Sequence, residues 1–224
     1  MMFTRQIKSF VVRSGRMSRA QSRSYESGKD QFIIPYTDGF IEPGDYFGNE
    51  NPVTVEIGFG MGSATAGIAE KNPQNNYIGI EVFRDGIGRL LWEIGRRNLE
   101  NIRIIEHDAA EVLEHMIRPE SLAAVHVFFP DPWPKRKHHK RRLIKRPFTE
   151  LLASRLESGA YLYMVTDWAD YGNSALAELS ATRALENSAA GFAPRRAWRP
   201  LTKFEKKGLD KNHPIRELYF YKKG

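Results

Sequence analysis

From residue 52 onward the chain alternates short, β-branched apolar runs with longer stretches in which apolar residues recur at helical spacing. Near-continuous apolar runs of strand length are the mark of strands covered on both faces, because a strand with one wet face alternates strictly. The strands expected are VTVEIG (53–58), YIGIEV (77–82), IRIIEH (102–107), AVHVFF (124–129), AYLYMVTD (160–167) and a last RELYFYKK (216–223). Helices are expected near 62–71, 83–99, 109–116, 147–157 and 168–184. Such alternation builds parallel strands joined by crossover helices, so the pattern predicts a doubly wound α/β sheet. Ligands of these sheets bind outside the carboxyl ends of the strands, where the winding reverses.

Acids and glycines stand at those ends. Glu56, Gly58, Gly60 and Gly62 close the first strand, Glu81 the second, Asp108 the third, Asp131 the fourth and Asp167 the fifth. One acid there is commonly a helix N-cap, and Asp108 with Glu111 has the spacing of a capping box; five together point to a site. The G-x-G-x-G spacing lets backbone approach a ligand closely. A nicotinamide dehydrogenase carries G-x-G-x-x-G and seats a pyrophosphate on the helix N-terminus, whereas Glu56 adds negative charge where a diphosphate would lie. S-adenosylmethionine, with a sulfonium, an ammonium and no phosphate, suits these acids better. On this reading Glu81 accepts both ribose hydroxyls, and Asp108, or the backbone at Ala109 and Ala110, receives the adenine amino group. A dinucleotide and a degenerate, non-catalytic fold are the alternatives.

Composition narrows the class. At 224 residues and 41% hydrophobic the chain suffices for one sizeable core and is short for two. The expected organisation is a flexible basic N-terminal arm over 1–30 and a single domain over 31–224. The arm is rich in Arg and Ser, so a transit peptide is the competing reading. Without cysteine there are no disulfides and no thiolate metal sites, which fits a reducing, cytoplasmic setting. No apolar run approaches the roughly 18 residues of a membrane span.

The distribution of charge matters more than its total of +7. Residues 1–30 carry 7 basic and 2 acidic side chains, 31–134 carry 7 and 16, 135–146 carry 8 and none, 147–193 carry 2 and 6, and 194–224 carry 10 and 3. Three cationic segments around an acidic body form a footprint for a polyanion, nucleic acid first.

The densest segment follows a proline-bracketed acid in FFPDPWPKRKHHKRRLIKR (128–146). Pro130, Pro132 and Pro134 restrict the backbone around Asp131 and Trp133, so a carboxylate is held rigidly at the mouth of the expected cofactor site. That carboxylate can accept hydrogen bonds from a guanine edge, while Trp133 either stacks on a base or packs beneath the loop. Lys135, Arg136, Lys137, His138, His139, Lys140, Arg141 and Arg142 would track a phosphate backbone; a solvated helix face is the bland alternative. Adjacent imidazoles at 138 and 139 point different ways, so no metal is expected.

Together EIGFGMG, IGIEV, FFPDPWPKRKHHKRR, VTDW and TKFEKKG resemble the bacterial tRNA (guanine-N7-)-methyltransferase family, and IKSFVVRSGRMSRAQ resembles its N-terminal extension. The likeness spans nearly the whole chain. It implies a class I methyltransferase fold (Rossmann-like) with six parallel strands and one antiparallel, and methylation of a guanosine in the tRNA variable loop from S-adenosylmethionine. It further implies that Glu56, Glu81, Asp108 and Asp131 contact the cofactor, with Asp131 also at the position of the catalytic acid. Lys135, Asp167 and the segment Thr202, Lys203, Phe204 and Glu205 match substrate-binding positions, and residues 137–142 the RNA-contacting run. Thr202-x-x-Glu205 is equally a capping box. Lys207 stands where the family pattern has Arg, and the two are not interchangeable at bidentate sites.

Overall fold

The computed structural model describes residues 7–11, 17–210 and 213–224, the side chains of Lys203, Phe204 and Lys207 excepted. The chain divides into two compact units, one of Val12–Arg118 with Ala197–Pro200, the other of Met1–Val11, Pro119–Arg196 and Leu201–Gly224.

In the first unit β1 (Val53–Ile57), β2 (Asn76–Ile80) and β3 (Ile102–Ile105) run parallel, with Glu56 opposite Gly79 and Ile78 opposite Arg103. Every residue of β1 and β2 is buried, which is why their sequences are apolar without alternation. The crossover helices are α3 (Ser63–Lys71) and α4 (Arg84–Arg97), with α5 (Ala109–His115) after β3 and a short α2 (Pro43–Phe47) before β1.

The structure adds an α-helix, α1 (Arg19–Phe32), that begins within the segment expected to be a flexible arm. Its apolar positions form no buried stripe, so hydrophobic periodicity does not announce it. Polar contacts and close backbone approach hold it instead. Ser18 and Gln21 complete a capping box at its N-terminus. Gln21 Nε2 donates to the Asp85 carbonyl at 2.9 Å, and the Tyr25 hydroxyl donates to Glu106 at 2.6 Å. A side chain at Gly88 of α4 would come 2.9 Å from the Gln21 carbonyl, so α1 and α4 meet where the sequence leaves room.

The second unit contains β4 (Leu122–Phe128), β5 (Leu156–Thr166), β6 (Leu185–Asn187) and β7 (Arg216–Lys222). β4 and β5 are parallel, and β7 runs antiparallel to both β5 and β6. One face of these strands carries His126, Phe128, Tyr161, Tyr163 and Tyr219 in ring-to-ring contact. The helices are α6 (Phe148–Arg155), α7 (Ala169–Ser180) and α8 (Lys203–Asp210), with a 3-10 helix over Arg136–Arg141. β5 starts at Leu156, before the expected 160, because Leu156 pairs with Leu122 ahead of a register shift. The expected helix over 147–157 therefore ends at Arg155.

The seven strands are ordered β3-β2-β1-β4-β5-β7-β6 in a mostly parallel sheet, the class I methyltransferase (Rossmann-like) arrangement. Among the described residues no helix is long and apolar enough to cross a membrane, and no cluster of three or more His, Asp or Glu could hold a metal ion.

Candidate active site

In the first unit the expected cofactor residues gather at the carboxyl ends of β1, β2 and β3. Gly58, Gly60 and Gly62 have φ of 71°, 58° and 68°, the left-handed region that glycine enters without cost. A side chain at Gly58 or Gly60 would meet nothing within 4 Å, so open space lies over the turn. Beneath it the fit is tight. A Cβ at Gly86, in the first turn of α4, would lie 1.9 Å from the Gly60 carbonyl oxygen.

Glu81 holds this turn to the end of β2. Its Oε2 accepts the Gly60 N–H at 2.8 Å, and its Oε1 accepts those of Val82 at 2.8 Å and Phe83 at 3.2 Å. A carboxylate offers roughly four acceptor positions, of which the main chain takes at least three. The carboxylate expected from sequence to meet the ribose hydroxyls is thus held in place by the main chain. Asp108 caps α5 by accepting the Ala110 N–H at 2.9 Å, which commits that amide and leaves Ala109 buried beside it. The capping box is not completed, for Glu111 pairs with His107.

Glu56 is buried, and burial pushes its pKa up to about 7, with the Glu81 charge adding to the rise and Thr65 opposing it. Thr65 lies close enough to act on the carboxyl, yet its buried hydroxyl makes no hydrogen bond of ordinary geometry among the described residues. A buried carboxyl near its ionisation point, beside an unsatisfied hydroxyl, suits a cationic ligand and penalises a diphosphate. These residues thus fit S-adenosylmethionine, whose ammonium and sulfonium carry the matching charge.

In the second unit Asp131 and Asp167, expected to meet the substrate, follow the carboxyl ends of β4 and β5. Phe129 and Trp133 have φ of 51° and 48°. Bulky residues rarely adopt left-handed backbone, which persists only where the surroundings over-determine it, and here it brackets Pro130, Asp131, Pro132. Asp131 is exposed.

The basic run divides by the direction of its side chains. Lys135, Arg136, Lys137 and Lys140 are exposed, and His138 is partly covered. Partial burial, then the surrounding cations, hold the His138 pKa below the usual imidazole value. Arg142 departs from the phosphate-tracking expectation because its guanidinium is buried. Its Nε donates to the Pro132 carbonyl at 3.0 Å, its Nη2 approaches His139 Nε2 at 3.1 Å and pairs with Asp170, and it lies over the Tyr171 ring. Arg142 and His139 therefore brace the loop from inside the unit. Arg141 is turned toward residues 8–10, donating to the carbonyls of Lys8 and Phe10.

Asp167 meets the later part of α8, the helix that follows Thr202. A Cβ at Gly208 of α8 would lie 3.0 Å from the Asp167 Cβ, so this glycine lets α8 pack on the end of β5, and His213 Nδ1 lies 3.7 Å from the Asp167 carboxylate. The Thr202 hydroxyl accepts the Glu205 N–H at 3.0 Å, the cap expected from the spacing. The Glu205 carboxylate is buried and faces Arg195 at 3.3 Å. The side chains of Lys203, Phe204 and Lys207 lie outside the described residues.

Three contributors were not singled out from sequence: Gly86, Thr65 and the bracing role of Arg142. Gly86 alone left a signal, because glycine inside an expected helix costs about 1 kcal/mol and calls for a packing reason.

Comparison with known proteins agrees with this geometry. Residues 50–218 match a family model described as "Putative methyltransferase". The tRNA (guanine-N(7)-)-methyltransferase of Paraburkholderia xenovorans is 50% identical over 220 residues, covering 98% of this chain and 85% of that protein. The protein of the same description from Nitrosospira multiformis is 49% identical over 219 residues, covering 98% and 96%. Among solved structures, the 30S ribosomal A1408 methyltransferase from an uncultured bacterium superposes with a TM-score of 0.56 at 15% identity, covering 85% of this chain and 98% of that one. The 16S rRNA methyltransferase KamB gives 0.56 at 12% identity, covering 99% and 100%. At such identities the structural likeness speaks for the fold alone. With half of its residues shared along nearly its full length, and with the glycine turn, buried Glu56 and proline-bracketed Asp131 in place, the chain belongs to the tRNA (guanine-N(7)-)-methyltransferase family.

Proposed function

We propose that this chain transfers the methyl group of S-adenosylmethionine to N7 of a guanosine in the variable loop of tRNA. Family membership carries the activity; the rigid, exposed Asp131 is the observation that carries the chemistry. Bound S-adenosylmethionine supplies an electrophilic methyl on sulfur. Guanine N7 has a free lone pair and no proton to lose, so no side chain has to act as its base. The work left to the chain is orientation and charge.

Glu56 binds the cation-bearing end of the cofactor, the Gly58–Gly62 turn admits it, and Glu81 and Asp108 fix the two loops that flank it. Asp131 orients the guanine and favours the positive charge that grows on the purine during transfer. Lys135 and Asp167, with the segment from Thr202 to Glu205, position base and ribose. Lys137 and Lys140 meet phosphates, and residues 31–224 act as one methyltransferase domain. With tRNA as substrate, the cytoplasm is the compartment we infer.

The test is transfer of labelled methyl from S-adenosylmethionine to unmodified tRNA, followed by cleavage with borohydride and aniline, which breaks the strand at N7-methylguanosine. A single cleavage in the variable loop is expected. Label at any other atom, or none, would overturn the assignment.

A further inference from the structure

Residues 7–11, IKSFV, belong to the second unit although they stand more than a hundred positions from what they touch there. The Trp133 indole N–H donates to the Ser9 carbonyl at 2.9 Å. Arg141 Nε donates to the Lys8 carbonyl at 3.2 Å and its Nη2 to the Phe10 carbonyl at 3.3 Å. The same guanidinium lies 4.3 Å from the centroid of the Trp133 ring. Three consecutive carbonyls are thus bound by two side chains that also stack on one another. A terminal segment without secondary structure would ordinarily give those carbonyls to water.

Trp133 is also one of the two left-handed residues that bracket Asp131. Its backbone needs outside support, and its side chain is held by the Ser9 carbonyl, by Arg141 over the ring and by His138 edge-on. Arg142 holds the preceding carbonyl, that of Pro132, from the inside. The loop bearing Asp131 is therefore fixed at two neighbouring points, one of them supplied by the N-terminal segment. The indole edge is engaged by Ser9 and one face of its ring is covered by Arg141, so neither of these is open to a base.

We propose that residues 8–10 form a strap that positions Asp131, with Trp133 and Arg141 acting as positioning residues through the strap and not as RNA contacts. The inference rests on the proposed function and adds to it a role for a segment that charge alone would assign to RNA binding.

The test uses the full-length chain. Exchange of the Trp133 indole proton, assigned with Trp133→Phe, reads the contact directly. It is expected to be slow in the unaltered protein and at least about tenfold faster when Lys8, Ser9 and Phe10 are all replaced by Gly. In steady state with unmodified tRNA, Trp133→Phe and the triple glycine variant each lower kcat by about tenfold, leave KM for tRNA unchanged, and cause no further loss when combined. Arg141→Lys keeps the charge but not the fork, so it behaves like Trp133→Phe, whereas a simple phosphate contact would be rescued by Lys. Fast indole exchange in the unaltered protein, multiplicative losses in the combined variant, or a raised KM with unchanged kcat would overturn the strap. An unaltered chain that fails to methylate tRNA would contradict the proposed function, and indole exchange would still decide the strap.

Discussion

The cofactor end of the first unit and the substrate loop of the second solve one problem, fixing a carboxylate in a set place, by opposite means. In the first unit main-chain amides grip the carboxylates themselves. Glu81 is bound by Val82 and Phe83 and by Gly60, and Asp108 by Ala110. Unusual backbone falls on glycines, where it costs nothing. In the second unit the supports of the Asp131 loop come from Arg142 and Ser9, and the unusual backbone falls on Phe129 and Trp133. A carboxylate gripped by amides is fixed directly. A loop that must hold a charged side chain exposed needs bracing from behind.

The sharpest way to break the first half is Gly86→Ala. Its Cβ would fall 1.9 Å from the Gly60 carbonyl, a backbone atom that cannot move aside. A loss of about 3 kcal/mol or more, together with lost cofactor binding, is expected by urea denaturation and calorimetry.

Glu56 gives the next effect, through pH. Its folded pKa near 7 lies above the ordinary 4.5, so the folded state keeps a proton that the unfolded chain has released. Stability of the cofactor-free protein therefore falls as pH rises from about 4.5 to 7, by about 3 kcal/mol in all. Cofactor affinity moves the other way, because the ionised carboxylate is the form that attracts a cation, and it strengthens until about pH 7 and then levels. Glu56→Gln should flatten both profiles, measured by denaturation at pH 5 and pH 8 and by titration with S-adenosylmethionine.

In the second unit, Arg142→Met should cost about 2 kcal/mol, since the Pro132 carbonyl and Asp170 lose their buried donor. The salt dependence of tRNA binding should not change. Lys137→Ala, at an exposed position, should leave stability alone and reduce the slope of log affinity against log salt by roughly one. If the two variants exchanged these signatures, the division of the basic run would be wrong.

The same contrast decides what was legible in the sequence. The strand ends, the glycine spacing and the caps at Asp108 and Thr202 involve residues a few positions apart, and their spacing announces them; the bond from Gly60 to Glu81, 21 positions away, is not announced. Helix α1 did not announce itself, because Tyr25 reaches Glu106 and Gln21 reaches the Asp85 carbonyl without a buried apolar stripe. Nor did the fate of Arg141 and Arg142, which sit in a run of uniform charge yet differ from Lys137 and Lys140 in what lies behind them. Charge is additive along a sequence; the direction of a side chain depends on the fold.

The role proposed for Asp131 is to contribute charge to methyl transfer and not merely a place for the base to rest. The most direct measurement is the single-turnover rate of Asp131→Asn with tRNA and S-adenosylmethionine both saturating. The account predicts a rate lower by about a hundredfold, with both affinities preserved. Transfer at the unaltered rate would contradict it.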